Sequence, residues 1–378
     1  MNKNTIRDQF SQNDFDRLRL IRSANIGPVT YVQLLKRFGS AERALNAIPD
    51  LARRGGGKAP RIADANVIQS EIQDIERLKA NLLFIGDQKY PRLLAELSNA
   101  PPILIYRGSL SHLNKPIIAI VGARNASAAA CRFARDLANS LNTAGATVVS
   151  GLARGIDTAA HQGSLGGSTI GVIAGGIDIY YPPENKELQE HVSEQGLLLS
   201  EQPPGTEPRA RHFPYRNRII AGMAAGTVIV EAAPRSGSLI TARIAAEAGR
   251  HVMAIPGSPL DPRSRGCNNL IREGATLVQC AEDVMELVQN FDDRAAVANQ
   301  KYNRDGDFNS NVREQDNDDA TDGDREIVGN LLSITSVAVD ELIRQSGINP
   351  STMQLILLEL ELAGKIVHHA GGKVSLKN

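Results

Sequence analysis

Residues 117–127, IIAIVGARNAS, pass from five consecutive apolar residues directly into a glycine-containing turn. Such a run is typical of a strand that is buried on both faces of a sheet. Strands that alternate with helices indicate a mostly parallel sheet covered by helices on both sides. We therefore predict a doubly wound, Rossmann-like α/β domain over residues 89–291. Further runs of this kind are ILIY (103–106), TVVS (147–150), TIGVIA (169–174), LLLS (197–200), TVIVEA (227–232), HVMAIP (251–256) and TLV (276–278).

The regions on either side of this domain have helical patterns. Within residues 1–88, apolar residues spaced three and four apart predict helices in DFDRLRLIRSA (14–24) and VTYVQLLKRF (29–38). The turn between them resembles a helix-hairpin-helix, a motif that contacts DNA backbone through amides. Residues 326–378 predict three helices and two short strands around Gly371-Gly372, which is a winged-helix pattern. Its third helix (351–364) contains Glu359 and Glu361 but no Arg or Lys, so we expect protein contact or weak duplex binding there.

The composition limits the class of protein. The 378 residues include 42 Lys+Arg, 42 Asp+Glu and three cysteines, Cys131, Cys267 and Cys280, which lie far apart. A net charge of zero does not indicate nucleic-acid binding, so that function would depend on local clusters of cations. The separated cysteines argue against a disulfide scaffold. No apolar run reaches the ~18 residues of a membrane helix, and the N-terminus has no signal-peptide pattern. We expect a cytoplasmic protein without membrane contact.

An acidic segment follows the predicted α/β domain. Residues 292–326 contain eleven acidic and five basic residues and almost no periodic apolar positions. Such a segment buries too little apolar surface to offset the entropy of ordering. We predict a flexible acidic linker over residues 292–325.

Three loops after predicted strands contain the candidate binding residues. Gly122 and Arg124 follow the strand 117–121 and precede a helix, whose N-terminal amides suit a phosphate. The next loop, SGLARGIDTAAH (150–161), contains Gly151 and places Asp157 and His161 four apart on a helix. A catalytic Asp–His pair would need a nucleophile, for which Ser150 is the only local candidate, and we favour structural roles for both residues.

The third loop has the clearest pattern. Residues 200–222, SEQPPGTEPRARHFPYRNRIIAG, contain four arginines within ten residues, with Phe213 and Tyr215 between them. Arginines interleaved with aromatic residues suit a groove that follows a nucleic-acid backbone and stacks its bases. Two later loops add Arg235 and Arg263 to the candidate cations.

Six motifs in this order resemble the DNA-processing protein A family, also called DprA or Smf. They are VGARNAS, SGLARGIDTAAH, AGGIDIYYPPEN, FPYRNRIIAG, SGSLITA and PGSPLDPRSRGCNNLIREGA, spread over residues 118–278. The resemblance implies a sterile-alpha-motif-like helical domain in front and a winged helix behind. It also implies a protein that binds and protects incoming single-stranded DNA, loads the RecA recombinase in natural transformation, and forms a homodimer.

The resemblance also implies which residues contact DNA. The family's Gly-Ser/Ala-Arg loop falls on Gly122-Ala123-Arg124, and its basic segment and F-P-x-R-N-R motif fall on residues 209–218. Our candidates for DNA contact are Gly122, Arg124, Gly151, Arg209, Arg211, Phe213, Arg216, Asn217, Arg218, Arg235 and Arg263.

The main alternative is a nucleotide-processing enzyme of the lysine-decarboxylase-like Rossmann group. Those enzymes depend on a P-G-G-x-G-T-x-x-E loop, whereas this chain has APRSGSLITARIAAE (233–247), with Ala242 and Arg243 where the Glu is expected. No Walker A, H-E-x-x-H or G-x-S-x-G motif is present. We expect no catalytic residues, no metal site and no cofactor. A protein-interaction scaffold is a third class, and it is compatible with recombinase loading.

Overall fold

The computed structural model describes residues 10–288, 320–369 and 371–377. These residues fall into two compact units. One comprises residues within 73–306, and the other comprises residues within 1–72 together with those within 307–378. Most of the predicted acidic linker, residues 292–319, lies outside the described residues.

The larger unit contains a nine-stranded, mostly parallel sheet with the strand order β1-β2-β6-β5-β4-β3-β7-β8-β9. Only the pairings of β2 with β1 and β6 are antiparallel. The strands are β1 (Asn81–Phe84), β2 (Ile103–Gly108), β3 (Ile117–Gly122), β4 (Thr147–Ser150), β5 (Thr169–Ile173), β6 (Leu197–Ser200), β7 (Gly226–Val230), β8 (His251–Ala254) and β9 (Thr276–Leu277).

Helices cover both faces of this sheet, as the sequence predicts. Alternate residues of β3 contribute to different cores, since Ala119 belongs to one buried cluster and Ile118 and Ile120 to another. This alternation follows from the two-residue period of a strand. The helices of this unit are α5 (Arg92–Ala95), α6 (Ala128–Thr143), α7 (Ile156–Ser164), α8 (Lys186–Gln195), α9 (His212–Met223), α10 (Gly237–Glu247), α11 (Arg265–Arg272) and α12 (281–288).

The strand order reverses direction at β3. From β3 the chain adds β4, β5 and β6 on one side, and then returns to place β7 on the other side of β3. In open α/β sheets the loops at such a reversal separate and leave a crevice beyond the carboxyl ends of the strands. The fold therefore provides a cleft between the loops that follow β3 and β7.

The predicted boundary at residue 88 is wrong. Strand β1 lies at Asn81–Phe84 and pairs with β2, so the sheet begins before residue 89. The four-residue run NLLF is too short to distinguish a strand from the end of a helical region by pattern alone.

The smaller unit joins the two ends of the chain. The N-terminal residues form α1 (Gln12–Arg22), α2 (Pro28–Phe38), α3 (Ala41–Arg54) and the start of α4 (Ala65–Arg77). The C-terminal residues form a winged helix with α13 (Asp322–Leu331), β10 (Val337–Ala338), α14 (Val339–Ser346), α15 (Pro350–Leu362), β11 (Ile366–His369) and β12 (Lys373–Leu376).

The winged helix begins earlier than predicted. Thr321 and Asp324 form a capping box, in which each side chain accepts a hydrogen bond from the other residue's backbone amide. Asp322 and Asp324 therefore lie in the first turn of α13, where carboxylates complement the positive end of the helix dipole. Residues 322–325 thus form the first turn of a helix and are not linker.

Candidate nucleic-acid interface

The cleft beyond β3 and β7 has a volume of about 680 Å³ and brings together seven of the eleven candidate residues. Its walls come from the loop after β3, the start of α9, and the loop between β7 and α10. The candidates that line it are Gly122, Arg124, Phe213, Arg216, Asn217, Arg235 and Arg263.

Arg124 and Phe213 form a cation–aromatic pair at the cleft. The Arg124 guanidinium lies 5.1 Å from the centre of the Phe213 ring, within the range of a cation–π contact. Tyr181 packs on the same phenylalanine, with ring centres 5.6 Å apart and an interplanar angle of 56°. Phe213 is half-buried, and Tyr181 is 47% exposed. The cleft therefore has an accessible aromatic surface beside a permanent positive charge.

Arg216 lies deeper in the wall and is only 7% exposed. Its Nη2 donates to the Gly151 carbonyl at 2.9 Å, and its Nη1 donates to Asn217 Oδ1 at 3.0 Å. Nη1 also lies 3.9 Å from Asp157 Oδ2. A Cβ atom at Gly151 would lie 1.8 Å from Nη1, so only glycine leaves room for this guanidinium. Gly151 thus acts by accommodating Arg216.

Asp157 is the buried counter-charge of Arg216. Its carboxylate accepts hydrogen bonds from the Gly151 and Ala153 amides at 3.2 and 3.3 Å. Burial raises the pKa of Asp157, and the charge of Arg216 opposes that rise. The network fixes the loop after β4 against α9.

The N-terminus of α6 is occupied by a side chain of the protein. Glu231 Oε2 accepts a hydrogen bond from the Ser127 amide at 2.7 Å, and the Ser127 hydroxyl accepts one from Ala130 N at 3.1 Å. A Cβ atom at Gly122 would lie 1.9 Å from the Val230 carbonyl oxygen, so this glycine permits close packing of β3 against β7. The prediction that this helix start receives a phosphate is therefore not supported by its surroundings.

The other candidate cations differ in their surroundings. Arg209, Arg211, Arg235 and Arg263 are exposed, and the first two lie in the segment that leads into α9. Arg263 forms an ion pair with Asp261 at 2.9 Å, which offsets its charge. Within the described ranges, no ion pair involves Arg124, Arg209, Arg211 or Arg235.

Arg218 does not face the cleft. It is 4% exposed, donates to the Asn99 carbonyl at 2.5 Å and pairs with Glu201 Oε1 at 2.5 Å. These contacts provide partners for both terminal nitrogens of its guanidinium inside the protein. We therefore revise its predicted role from DNA contact to structural ion pair.

A second, smaller pocket of about 260 Å³ adjoins the cleft. Five residues line both spaces and so separate them: Arg124, Asn125, Ala153, Phe213 and Arg216. Gly151 and Tyr181 line only the smaller pocket. Ile173 and Ile179 give this pocket apolar walls, against which a flat ring such as a base could pack.

Ser150, Asp157 and His161 do not form a catalytic arrangement. The Ser150 hydroxyl donates to the Ile120 carbonyl at 2.7 Å, and His161 Nδ1 lies 2.8 Å from Thr169 Oγ1. Burial lowers the pKa of His161 to about 3. Within residues 10–288, 320–369 and 371–377, no group of three or more His, Cys, Asp or Glu side chains is placed to hold a metal ion. The same residues include no helix that is long and apolar enough to cross a membrane.

Two contributors to the site were not among the candidates. Tyr181 belongs to the quoted motif AGGIDIYYPPEN, where paired tyrosines in an aromatic-poor chain are a usable signal. Glu231 is the fifth residue of the run TVIVEA (227–232), but its bond to Ser127 joins residues 104 positions apart and has no local sequence signal.

Comparison with known proteins agrees with this architecture. A sequence profile of the family described as DNA recombination-mediator protein A matches residues 81–289. This chain belongs to that family. Profiles of the DprA-like N-terminal HHH domain and the DprA winged helix domain match residues 11–73 and 313–372.

Sequence similarity to members of this recombination-mediator family covers most of the chain. Protein Smf of Escherichia coli (strain K12) is 36% identical over 313 residues, which cover 82% of this chain and 81% of that protein. The X-ray structure of DNA processing protein A from Streptococcus pneumoniae has 37% identity and a TM-score of 0.61, covering 73% of this chain and 98% of that one. A structure that describes the single-stranded DNA binding mode of DNA processing protein A from Helicobacter pylori has 26% identity and a TM-score of 0.52, covering 56% of this chain and 96% of that one. These matches confirm the resemblance predicted from the six motifs.

Proposed function

We propose that this recombination mediator binds single-stranded DNA in the cleft beyond β3 and β7. The observation that carries the proposal is the unpaired guanidinium of Arg124 against the accessible ring of Phe213. A phosphate can approach this cation while a base stacks on the aromatic surface, which is the combination that single-strand binders use. The single-stranded DNA binding named for the H. pylori relative supports the same assignment.

In this proposal the arginines at and near the cleft have different roles in binding DNA. Arg124 and Arg235 meet the backbone inside the cleft, and Arg209 and Arg211 extend the positive surface along the segment before α9. Arg216 adds a charge that is fixed in position by Gly151 and Asp157. Phosphate contacts of this kind carry no base information, so we expect little sequence preference.

The remaining family properties are proposals for this chain as well. We propose that it acts as a homodimer through the Rossmann-like domain, protects incoming strands in the cytoplasm, and loads RecA on them during natural transformation. Membership of a recombination-mediator family supports this assignment. The free cysteines Cys131, Cys267 and Cys280 are compatible with a reducing compartment.

The test compares single-stranded and duplex oligonucleotides of equal length and base composition. Fluorescence anisotropy is measured across a salt series with the full chain. We expect tighter binding of the single strand, with log affinity falling linearly as log salt rises. Equal affinity for both forms, or a salt-independent single-strand affinity, would contradict the proposal.

A further inference from the structure

Helix α15 is buried around most of its circumference, although it is the helix that a winged-helix domain usually presents to DNA. Residues 355–358 are all at most 3% exposed. Four consecutive helical residues span about 300° around the helix axis, so a single covering face cannot bury them. Between Ser351 and Leu362, only Ser351 and Gln354 are exposed.

One side of α15 is covered by its own domain. The Glu359 carboxylate is fully buried and receives two hydrogen bonds from Arg325 of α13, at 2.8 and 3.0 Å. This contact orients α15 on α13 and satisfies the two charges mutually. It leaves the opposite side of the helix to be covered by something else.

That cover is α3 and the loop after it, in the N-terminal helical domain. A Cβ atom at Gly55 would lie 2.2 Å from the Glu359 carbonyl oxygen, and one at Gly57 would lie 2.6 Å from Ala363 Cβ. Asn25 Nδ2 also donates to the Leu362 carbonyl at 3.4 Å. The run GGG at 55–57 therefore allows the two backbones to approach more closely than any side chain would permit.

We infer that α15 is a docking surface for the N-terminal helices of the same chain and not a DNA-recognition helix. The terminal domains accordingly fold and act as one unit. The composition of α15 agrees with this assignment, since its apolar run at 355–358 points to most sides of the helix, as is typical of a buried position. Its exposed Ser351 and Gln354 provide no cation for a phosphate.

The first experiment is amide hydrogen exchange on the full chain, comparing wild type with Gly55→Ala. Gly55 has φ −67°, so alanine is compatible with the backbone there, and only the approach to α15 is obstructed. We expect faster exchange in both α3 and α15, while peptides from β3 keep their protection and show that the sheet is folded. Gly27→Ala is the matched control, because φ is −92° and nothing lies within 4 Å of its Cβ position. Equal exchange in the wild type and Gly55→Ala would overturn the inference.

A second experiment needs no substitution at the contact. Native-state hydrogen exchange of the wild-type full chain over a urea series reports the opening free energy of each element. We expect α3 and α15 to open together, with the same free energy and the same urea dependence. Separate opening of α3 and α15 would refute docking.

The DNA part of the inference has its own measurement. Replacing Ser351 and Gln354 by alanine in the full chain should leave duplex affinity unchanged. A loss of about tenfold, the size expected for a lost base contact, would return α15 to a role in DNA recognition.

Discussion

Replacing Arg124 by alanine tests the cleft at the cation that contacts its aromatic residue. Its guanidinium contacts the Phe213 ring at 5.1 Å and belongs to no ion pair among the described residues. Releasing counterions from one single-strand phosphate contributes a slope of about 0.7 in log affinity against log salt. At about 0.15 M salt this corresponds to roughly 0.8 kcal/mol.

The cation–π contact adds to this effect. An exposed pair of this kind contributes about 0.5–1 kcal/mol by holding both groups in the binding geometry. The sum is about 1.3–1.8 kcal/mol, so we expect affinity to fall about tenfold to twentyfold. The slope should flatten by about 0.7, and the loss should be similar for every sequence tested.

The assay is anisotropy with fluorescent single strands across a salt series, with a melting curve for each variant. Arg135→Ala is the matched control, because this exposed arginine of α6 bonds to Gln162 and lies outside both pocket linings. It removes the same net charge without removing a cleft contact. A folded Arg124→Ala protein with wild-type affinity and slope would show that strands do not bind in this cleft.

Three further changes test separate parts of the structure. Phe213→Ala should weaken single-strand binding by about 1–3 kcal/mol through lost stacking, and a changed salt slope would count against that cause. Arg218→Met leaves Glu201 without its partner and should lower unfolding free energy by about 3–5 kcal/mol in urea; an unchanged stability would contradict the buried pair. Burial lowers the pKa of His161 from 6.5 to about 3. Between these two pH values the unfolded chain binds a proton at this residue and the folded chain does not, so the free energy of unfolding falls as the pH falls. His161→Gln should make that loss shallower in pH-dependent melting curves, and an identical pH profile would refute the assignment.

The sheet was largely predictable from sequence because its strands are long apolar runs buried on both faces. Strand β1 was missed, since NLLF is short and joins the sheet through an antiparallel edge pairing that no local pattern specifies. The extra strand β10 has only two residues, Val337 and Ala338, and depends on pairing with β12. Short edge strands are defined by their neighbours, which a single sequence does not reveal.

The site was predictable where the motif defined both residue type and position. The run FPYRNR gave Phe213 and Arg216 correctly as cleft residues, but it also suggested Arg218. Residues two apart on a helix point in directions about 200° apart, so Arg216 and Arg218 could not face the same side. This geometry could have been applied to the sequence. The contact of Glu231 with Ser127 could not, because it requires the tertiary structure.

The return of the chain to β7 beside β3 has a consequence for synthesis. Gly122 is aligned with Val230 in the sheet, although 108 positions separate them in the chain. Pairing between such distant segments forms late, because a large loop must close before its contacts are made. A nascent chain that has not yet emerged beyond residue 230 lacks one wall of the cleft. The proposed binding of a single strand in this cleft would therefore require the central pairing of the sheet to be complete.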